Sequence, residues 1–572
     1  WEHYLSCDGS PDPTVPQEMN TFMSLWREDQ DEDVQLVMEK GEVVLKLIEK
    51  LEFLLLDASP NEITEEQRVQ YLEFILQLQD LLHQKYNEAT QNLLKVTSMY
   101  EDSETGNMHT VIKDTNATFC IWVNLKKKPR FKNHVFQEAG HGFDLPKSLA
   151  LSSVAVRVLH TRYDHVSPLA ASLKKDSNNI DDKKEMEEET EKNSDILDEP
   201  PQGIWLFLVC STTKVLMLSI LYEEPRGREE APKVVDVQQL VPVGGVYHID
   251  ALQLPPQPQD VSDWSMVELL DVGFEVYPYS PGEAEDGTEE AVQITLRLPD
   301  NVIYFEVPMV ARWDPAGQQW RTDGISNITY EGQEKSITFG MGAFYTVALL
   351  QDAHLNLPYQ AWELQPTGVD EGLFTVTAVF ATMQIQIKDN QCMLSSVVVE
   401  DEEVFSHTTG KWMSPFALRE ALKRAGVNIF PAEHSHKYVP FQSRPALTPP
   451  QSDRNNELPL VGFSPCLSSV LHLTVHFFLP QVSELLKADS AKDSHWSLYM
   501  FNGEKVQNLK LTETSEAFSE ELEEESEFHS TLYHILKDFA SNEAMDRVER
   551  AGSLFIDSVY QLLLATRVLA FS

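Results

Sequence analysis

Apolar residues recur at steps of three and four positions in two stretches near the start of the chain. The first stretch runs from residue 33 to about residue 56, and the second follows Ser59-Pro60-Asn61 and continues to about residue 96. This spacing places the apolar side chains on one face of an α-helix, and the short connection predicts an antiparallel helical hairpin. Leu54, Phe74 and Leu78 lie off the shared stripe. This second apolar face predicts contact with a partner protein.

Beyond Tyr100 the period of the pattern changes to two, which indicates β-strands. Phe119, Ile121 and Val123 alternate with Cys120 and Trp122, and similar alternation occurs at 149–159, 294–298 and 303–307. A charged tract at 172–202 has almost no apolar content, so it cannot offset the entropy of ordering and is predicted to be a disordered insert. We therefore predict an antiparallel β domain that carries this insert.

A second β-rich region begins near residue 372. Its apolar positions change phase near Ala381, which indicates a turn or bulge between two strands. Ser414-Pro415 and Ala425-Gly426 carry the start and stop signals of a helix: an N-cap hydroxyl, Pro at the first position and Gly at the end. The Pro-rich stretch 431–460 is predicted to be a long loop.

Together these patterns predict an α+β multidomain chain of four parts. These are an N-terminal helical hairpin region (1–104), a β-sandwich-like domain with the disordered insert (105–352), a second antiparallel β-sandwich-like domain with one helix (353–512), and an acidic linker with C-terminal helices (513–572). Trp313-Asp314 is the only Trp-Asp pair, and no repeat of 20 to 50 residues is evident. A WD propeller is therefore not predicted.

The composition narrows the possible partners. With 45 basic against 90 acidic residues, the formal net charge is −45, which repels nucleic acid. No stretch reaches the roughly 18 apolar residues of a transmembrane helix, so no membrane partner is predicted. The cysteines are five in number and far apart, which indicates neither a disulfide framework nor a zinc ribbon and favours a reducing compartment such as the cytoplasm.

Candidate chemical motifs are sparse. Gly410-Lys411 lacks the hydroxyl and the earlier glycine of a phosphate loop. His434 and His436 could share one face of a strand, but no nearby side chain completes a four-ligand metal site, and His472 and His476 are too far apart on a strand for one ion. No catalytic residue, cofactor or metal site is predicted.

One concentrated basic cluster follows the predicted strand 118–125. We call it the basic patch, and it consists of Lys126, Lys127, Lys128, Arg130 and Lys132. In so acidic a chain, five neighbouring cations could dock an acidic partner such as a tubulin surface. A solvated loop after the strand is the alternative interpretation.

Four segments carry a resemblance to a known family. They are TFCIWVNLKKKPR (118–130), IWLFLVC (204–210), FGMGAFYTVAL (339–349) and LPYQAWE (357–363). These segments resemble the cancer-susceptibility-candidate family, and the likeness covers nearly the whole chain. Because the motifs are long and not chemical signatures, they indicate a family and no active site.

The resemblance implies a function that the residues alone do not reveal. It implies a non-catalytic subunit of an axonemal inner-arm dynein complex, with dynein heavy, intermediate and light chains and the tubulin of doublet microtubules as partners. The implied location is the axoneme of cilia and flagella, together with the cytoplasm and cytoskeleton. A cytoplasmic dynein-arm assembly factor or adaptor that does not stay on the axoneme is the alternative.

Overall fold

The computed structural model describes most of the chain outside a few segments. The described residues are 10–57, 63–103, 105–127, 133–167, 234–257, 259–261, 264–266, 275–279, 291–399, 402–403, 409–439, 458–459, 481–483, 496–501, 506–509 and 541–571. The predicted insert 172–202 and the apolar run 204–210 lie outside these residues.

The described helices are α1 (Pro16–Glu28), α2 (Val34–Asp57), α3 (Glu65–Lys95), α4 (Lys147–Ala150), α5 (Pro415–Arg424), α6 (Asn542–Arg550), α7 (Ser553–Thr566) and α8 (Val568–Phe571). The described strands are β1 (Met108–Lys113), β2 (Ala117–Val123), β3 (Asn133–Phe136), β4 (His141–Asp144), β5 (Val154–Thr161), β6 (Leu240–Gln253), β7 (Gln259–Val261), β8 (Trp264–Met266), β9 (Val292–Arg297), β10 (Met309–Asp314), β11 (Gln319–Arg321), β12 (Ile325–Glu331), β13 (Ser336–Met341), β14 (Thr346–Asp352), β15 (Ala361–Gly368), β16 (Glu371–Thr377), β17 (Ala381–Lys388), β18 (Gln391–Val399), β19 (Glu402–Glu403), β20 (Trp412–Met413), β21 (Leu458–Pro459), β22 (Gln481–Ser483), β23 (Trp496–Phe501) and β24 (Val506–Leu509).

The predicted helical hairpin is confirmed as α2 and α3. Thr64 and Gln67 form a reciprocal capping box, which fixes the start of α3. Gly41 permits close approach of the two helices, since a Cβ there would lie 3.1 Å from Leu82 Cδ1. A further helix, α1, precedes the hairpin. The fully buried Lys85 of α3 holds the end of α1, because its ammonium donates to the backbone carbonyls of Arg27 and Asp29.

In the described residues the first β domain is built on two large antiparallel sheets, and β7 and β8 form a separate antiparallel pair. One has the strand order β1-β2-β5-β6-β14-β10-β11, and the other has the order β12-β13-β9-β4-β3. Trp122 and Ile249 from the first sheet share a buried cluster with Ile294 and Phe339 from the second. This cluster is the core of a β-sandwich, as the alternating pattern predicts.

Every residue of β2 is buried, although the sequence pattern would allow one face to be exposed. Cys120 and Trp122 face the sandwich core, whereas Phe119 and Ile121 belong to the cluster that contains the α2–α3 hairpin. The hairpin therefore forms a third layer on the outer face of the larger sheet.

This third layer corrects one sequence-based expectation. Phe74 is 4 % exposed and Leu78 is fully buried in the cluster that the hairpin shares with the sheet, and Leu54 is partly buried against it. The predicted partner contact through Phe74 and Leu78 is therefore wrong, because both side chains are buried in the cluster that the chain's own helices and sheet form.

In the described residues the second β-rich unit contains an antiparallel sheet, β15-β16-β17-β18-β19, with β20 paired to β18, and a smaller sheet, β21-β22-β23-β24, in which β21 and β22 are parallel. The predicted change of phase near Ala381 is confirmed as the tight turn between β16 and β17. In the described residues, α5 and α7 share the buried core of this sheet. The predicted signals of α5 are also confirmed, since Ser414 Oγ accepts from the Ala417 N–H and Gly426 ends the helix with a φ of +86°.

The predicted strand at 303–307 is wrong, because this segment is used to join the two β units. The Ile303 N–H donates to the Ala425 carbonyl at 2.9 Å, and the Phe305 N–H donates to Gln351 Oε1 at 2.9 Å. Gln351 in turn donates from Nε2 to the carbonyl of Gly426 at 2.9 Å. The Ala425 carbonyl and the Gln351 side chain thus accept the hydrogen bonds that a neighbouring strand would accept in a sheet.

The predicted fold class is confirmed: helices come first, antiparallel sheets follow and further helices end the chain. Within the described residues the sheets form neither a closed barrel nor a propeller. No helix in this part of the chain is long and apolar enough to cross a membrane.

A buried ion pair joins the helical layer to the sandwich. Arg157 on β5 is 1 % exposed, and its Nε and Nη2 donate to Asp250 Oδ2 on β6 at 2.9 and 2.7 Å. Its Nη1 donates to Asn87 Oδ1 and Thr90 Oγ1 of α3 at 2.9 and 3.0 Å. One guanidinium therefore links two strands to a helix.

Replacing Arg157 with Met should destabilise the protein by about 3 kcal/mol, because Asp250 would keep a partly buried charge without its bidentate partner. The free energy of the first urea unfolding transition measures this loss. Arg297→Met is the matched control: its pair with Asp300 is exposed, so it should cost less than about 1 kcal/mol. Equal losses in the two variants would contradict the proposed role of Arg157.

Buried histidines make the stability of the sandwich depend on pH. His160 on β5 stacks on the Tyr247 ring at a centroid distance of 3.9 Å, and its Nε2 lies 2.8 Å from the Gly244 carbonyl oxygen. Burial lowers the pKa of His160 from 6.5 to about 3. Between these two values the unfolded chain binds a proton that the folded protein does not, so stability falls as the pH falls through this window.

We expect His160→Gln to reduce this acid sensitivity while an amide still donates to the Gly244 carbonyl. Each pH unit within this window changes the free energy of unfolding by about 1.4 kcal/mol. Between pH 7 and pH 5 the variant should therefore lose about 2 kcal/mol less of its free energy of unfolding than the wild type. Urea midpoints across this range measure the difference. The exposed His436→Gln should follow the wild-type curve, and an unchanged slope in His160→Gln would contradict the prediction.

Candidate functional site

The structure describes two members of the basic patch. Lys126 and Lys127 are exposed, and they lie three and four residues after the end of β2. Lys126 Nζ lies 2.6 Å from Glu101 Oε1, so part of its charge is compensated. Lys128, Arg130 and Lys132 lie outside the described residues.

Two buried asparagines hold the start of the basic patch. Asn107 Oδ1 accepts from the N–H groups of Leu125 and Lys126 at 3.0 and 3.1 Å. Asn124 Oδ1 accepts from the Lys127 N–H at 3.1 Å, and its amide donates to the Ala150 carbonyl at 2.8 Å. Lys127 adopts a positive φ of 48° in this turn. The chain therefore leaves β2 in a fixed direction, with both lysine side chains toward solvent.

The histidine pair that the sequence considers for a metal does not form a site. His434 and His436 lie in a turn and a short 3₁₀ segment, not on a strand. Their ring nitrogens contact separate backbone carbonyls: His434 Nε2 lies 3.2 Å from the Gln238 oxygen, and His436 Nδ1 lies 2.7 Å from the Glu433 oxygen. His472 and His476 lie outside the described residues.

A different histidine cluster, which the sequence analysis missed, lies where α3 meets the sheet. His83 comes from α3, His165 from the segment after β5, and His248 from β6. One ring nitrogen of each lies within 4.8 Å of the others, and the Nε2 atoms of His165 and His248 are 3.2 Å apart. We call this group the three-histidine cluster. Because its members are far apart in sequence, no spacing signal could have revealed it.

The surroundings keep these imidazoles uncharged. Burial lowers the pKa of His83 to about 3 and that of His165 to about 4, and it lowers the pKa of His248 well below its usual value. The nearby guanidinium of Arg157 lowers the pKa of His83 and His248 further, whereas Asp164 acts in the opposite direction on His165. His248 Nδ1 lies 2.9 Å from Thr346 Oγ1.

Exposed apolar side chains remain on the helical layer. Val69 and Leu72 lie three residues apart on α3 and are 57 and 46 % exposed, and Leu36 and Val43 share a face of α2. A groove of about 530 Å³ runs along α2 to the start of α5, where the rings of Phe53 and Phe416 meet edge to face at 5.8 Å. The helices therefore present apolar surface that the described residues do not cover.

Comparison with known proteins gives consistent results along the chain. Residues 1–130 match the family described as Cancer susceptibility candidate 1 N-terminus. The chain is 42 % identical to dynein axonemal intermediate chain 7 of Bos taurus and 43 % identical to that of Homo sapiens. Each alignment covers 100 % of this chain and 87 % of the relative. A homologue from Ciona intestinalis is 31 % identical over 93 % of this chain and 82 % of its own length.

The resemblance found in the four sequence segments is thus confirmed along the whole chain. The alignments extend through the helical layer, both β units and the C-terminal helices, so the likeness is not limited to one domain. The chain belongs to the dynein axonemal intermediate chain 7 family.

Proposed function

We propose that this chain is a non-catalytic subunit of an axonemal inner-arm dynein complex that acts in arm docking and assembly and in regulating ciliary and flagellar beating. The observation that carries the proposal is full-length similarity to relatives named dynein axonemal intermediate chain 7. In this role the chain would contact dynein heavy, intermediate and light chains in the axoneme. It would also pass through the cytoplasm before assembly.

The helical layer supports the proposed contacts with other dynein chains. Its inner face is covered by the sandwich, yet the outer faces of α2 and α3 retain exposed Leu36, Val43, Val69 and Leu72. Apolar side chains grouped on exposed helix faces are typical of surfaces that bind partner chains. We assign the dynein contacts to these outer faces, and not to the buried face that the sequence pattern indicates.

The basic patch supports the proposed contact with tubulin. A chain of net charge −45 repels an acidic filament surface unless cations are concentrated locally. Lys127 is exposed, and Asn124 holds its backbone in the turn that follows β2. Because Glu101 neutralises part of the charge of Lys126, the other members of the patch would supply more of the attraction to an acidic surface.

A cytoplasmic assembly factor is the competing function. Such a protein would use the same exposed helix faces but would leave the complex before it reaches the axoneme. Fractionation of cilia separates the two functions. A resident subunit should stay with detergent-extracted axonemes, leave them in high salt, and co-sediment with a dynein heavy chain. Recovery only in the detergent-soluble and cytoplasmic fractions would contradict the subunit proposal and support the assembly factor.

Changing Lys126, Lys127, Lys128, Arg130 and Lys132 together to Gln should weaken docking to doublet microtubules without unfolding the chain. Each exposed pair contributes at most about 1 kcal/mol, but five cations act together, and their effect should fade with salt because the Debye length is about 8 to 10 Å. Co-sedimentation of the full chain with purified doublets across a salt series measures both affinity and salt slope.

The control for this variant removes the same amount of charge elsewhere. It changes five other exposed lysines to Gln: Lys50, Lys95, Lys147, Lys411 and Lys437. If only net charge matters, both variants should lose affinity equally. If the basic patch is the docking site, only the patch variant should lose affinity and show a shallower salt slope. Unchanged binding of the patch variant would contradict the docking role and favour the alternative interpretation, in which the patch is a solvated loop.

A further inference from the structure

The three-histidine cluster is the one group of three or more potential metal ligands among the described residues. It joins two layers of the fold, since His83 belongs to α3 and His248 to the large sheet. The rings are close, with centroids 4.5 Å apart for His83 and His248 and 5.0 Å apart for His165 and His248. Three imidazoles from separate elements therefore converge on one point.

The hydrogen bonds of the cluster are incomplete. His83 Nδ1 and His165 Nδ1 are buried and have no hydrogen-bond partner. The contact of 3.2 Å between the Nε2 atoms of His165 and His248 can use only one proton, so one of these nitrogens offers a lone pair. Buried polar atoms without partners are costly. An ion bound by His83 Nδ1 would give that atom a partner, whereas His165 would bind through Nε2 and keep the proton on its Nδ1.

The geometry suits a tetrahedral metal ion. Two nitrogens that each bind Zn²⁺ at about 2.0 to 2.1 Å in tetrahedral geometry lie about 3.3 Å apart, close to the separation of the His165 and His248 Nε2 atoms. A ring nitrogen of His83 lies within 4.8 Å of the other two, so the site requires the His83 ring to move closer to them when the ion binds.

The neighbouring groups also suit a metal site. Thr346 Oγ1 can accept a hydrogen bond from the Nδ1–H of His248, which leaves Nε2 free to bind a metal and fixes the orientation of the ring. The ion pair with Asp250 offsets part of the positive charge of Arg157 that acts on the cluster. His83 is the one member of the cluster that is partly exposed.

We propose that His83, His165 and His248 bind one Zn²⁺ ion that fastens α3 to the large sheet. Uncharged imidazole nitrogens favour Zn²⁺ over Mg²⁺ or Ca²⁺, which prefer oxygen ligands. Because the ligands come from the helical layer and the sandwich, binding stabilises the contact between them. The proposal does not depend on the dynein role, and its test uses no dynein component.

The test uses the full chain, freed of metal with a chelator and then titrated with Co²⁺ and Zn²⁺. We expect one equivalent of Co²⁺ to give the visible absorption of a tetrahedral site, Zn²⁺ to displace it, and Zn²⁺ to raise the melting temperature. An equal concentration of Mg²⁺ should do neither. Absence of saturable Co²⁺ and Zn²⁺ binding would overturn the proposal.

Three variants assign the site. His83→Gln removes the most exposed ligand and should lower Zn²⁺ affinity at least about 100-fold, whereas Thr346→Val removes only the orienting hydroxyl and should lower it about 10- to 100-fold. His436→Gln, on an exposed turn, should bind like the wild type. If His83→Gln does not fold, the Zn²⁺ affinity of Thr346→Val tests the proposal. Wild-type affinity in the folded variants of His83 and Thr346 would place the ion elsewhere and overturn the proposal.

Discussion

A buried guanidinium, that of Arg157, fixes how the helical hairpin lies on the large sheet. Arg157 donates to Asp250 on the neighbouring strand and to Asn87 and Thr90 on α3, so it satisfies polar groups of two layers at once. A guanidinium suits this position because its planar fork can reach several acceptors in fixed directions. The apolar residues around it make the contact strong, and Arg157 defines how α3 lies on the strands.

The same junction concentrates the other unusual chemistry of the chain. The three-histidine cluster lies beside Arg157, as the effect of the guanidinium on the pKa of His83 and His248 indicates. Lys85, two residues after His83 on α3, holds the end of α1. Burial at a boundary between layers is costly for such groups, so each one is paired, kept uncharged or, as we propose, bound to an ion. The outer faces of α2 and α3 lie away from this junction, and we propose that partner chains bind there.

The two β units are joined by a second set of polar contacts. The segment 303–307 and Gln351 bind the backbone around Ala425 and Gly426, which is where α5 ends. Gly426 is required at this point, because a Cβ would lie 2.2 Å from the Ile303 carbonyl oxygen. The glycine that ends α5 therefore also lies at the contact between the two β units. In a subunit that links partners, such a fixed junction would transmit the position of one unit to the other.

The sequence by itself determined those features that depend on neighbouring residues. Periods of 3.6 and 2 identified the hairpin, the sandwich strands and the turn near Ala381, and Ser414, Pro415 and Gly426 set the bounds of α5. The long family segments identified the relatives. Only the tertiary structure decided which apolar faces are covered, because Phe74 and Leu78 look the same in sequence whether a partner or the chain's own sheet buries them. The tertiary structure also showed that 303–307 joins the two β units and is not a strand. It showed that His83, His165 and His248 lie together, because contacts between residues far apart in sequence leave no periodic signal.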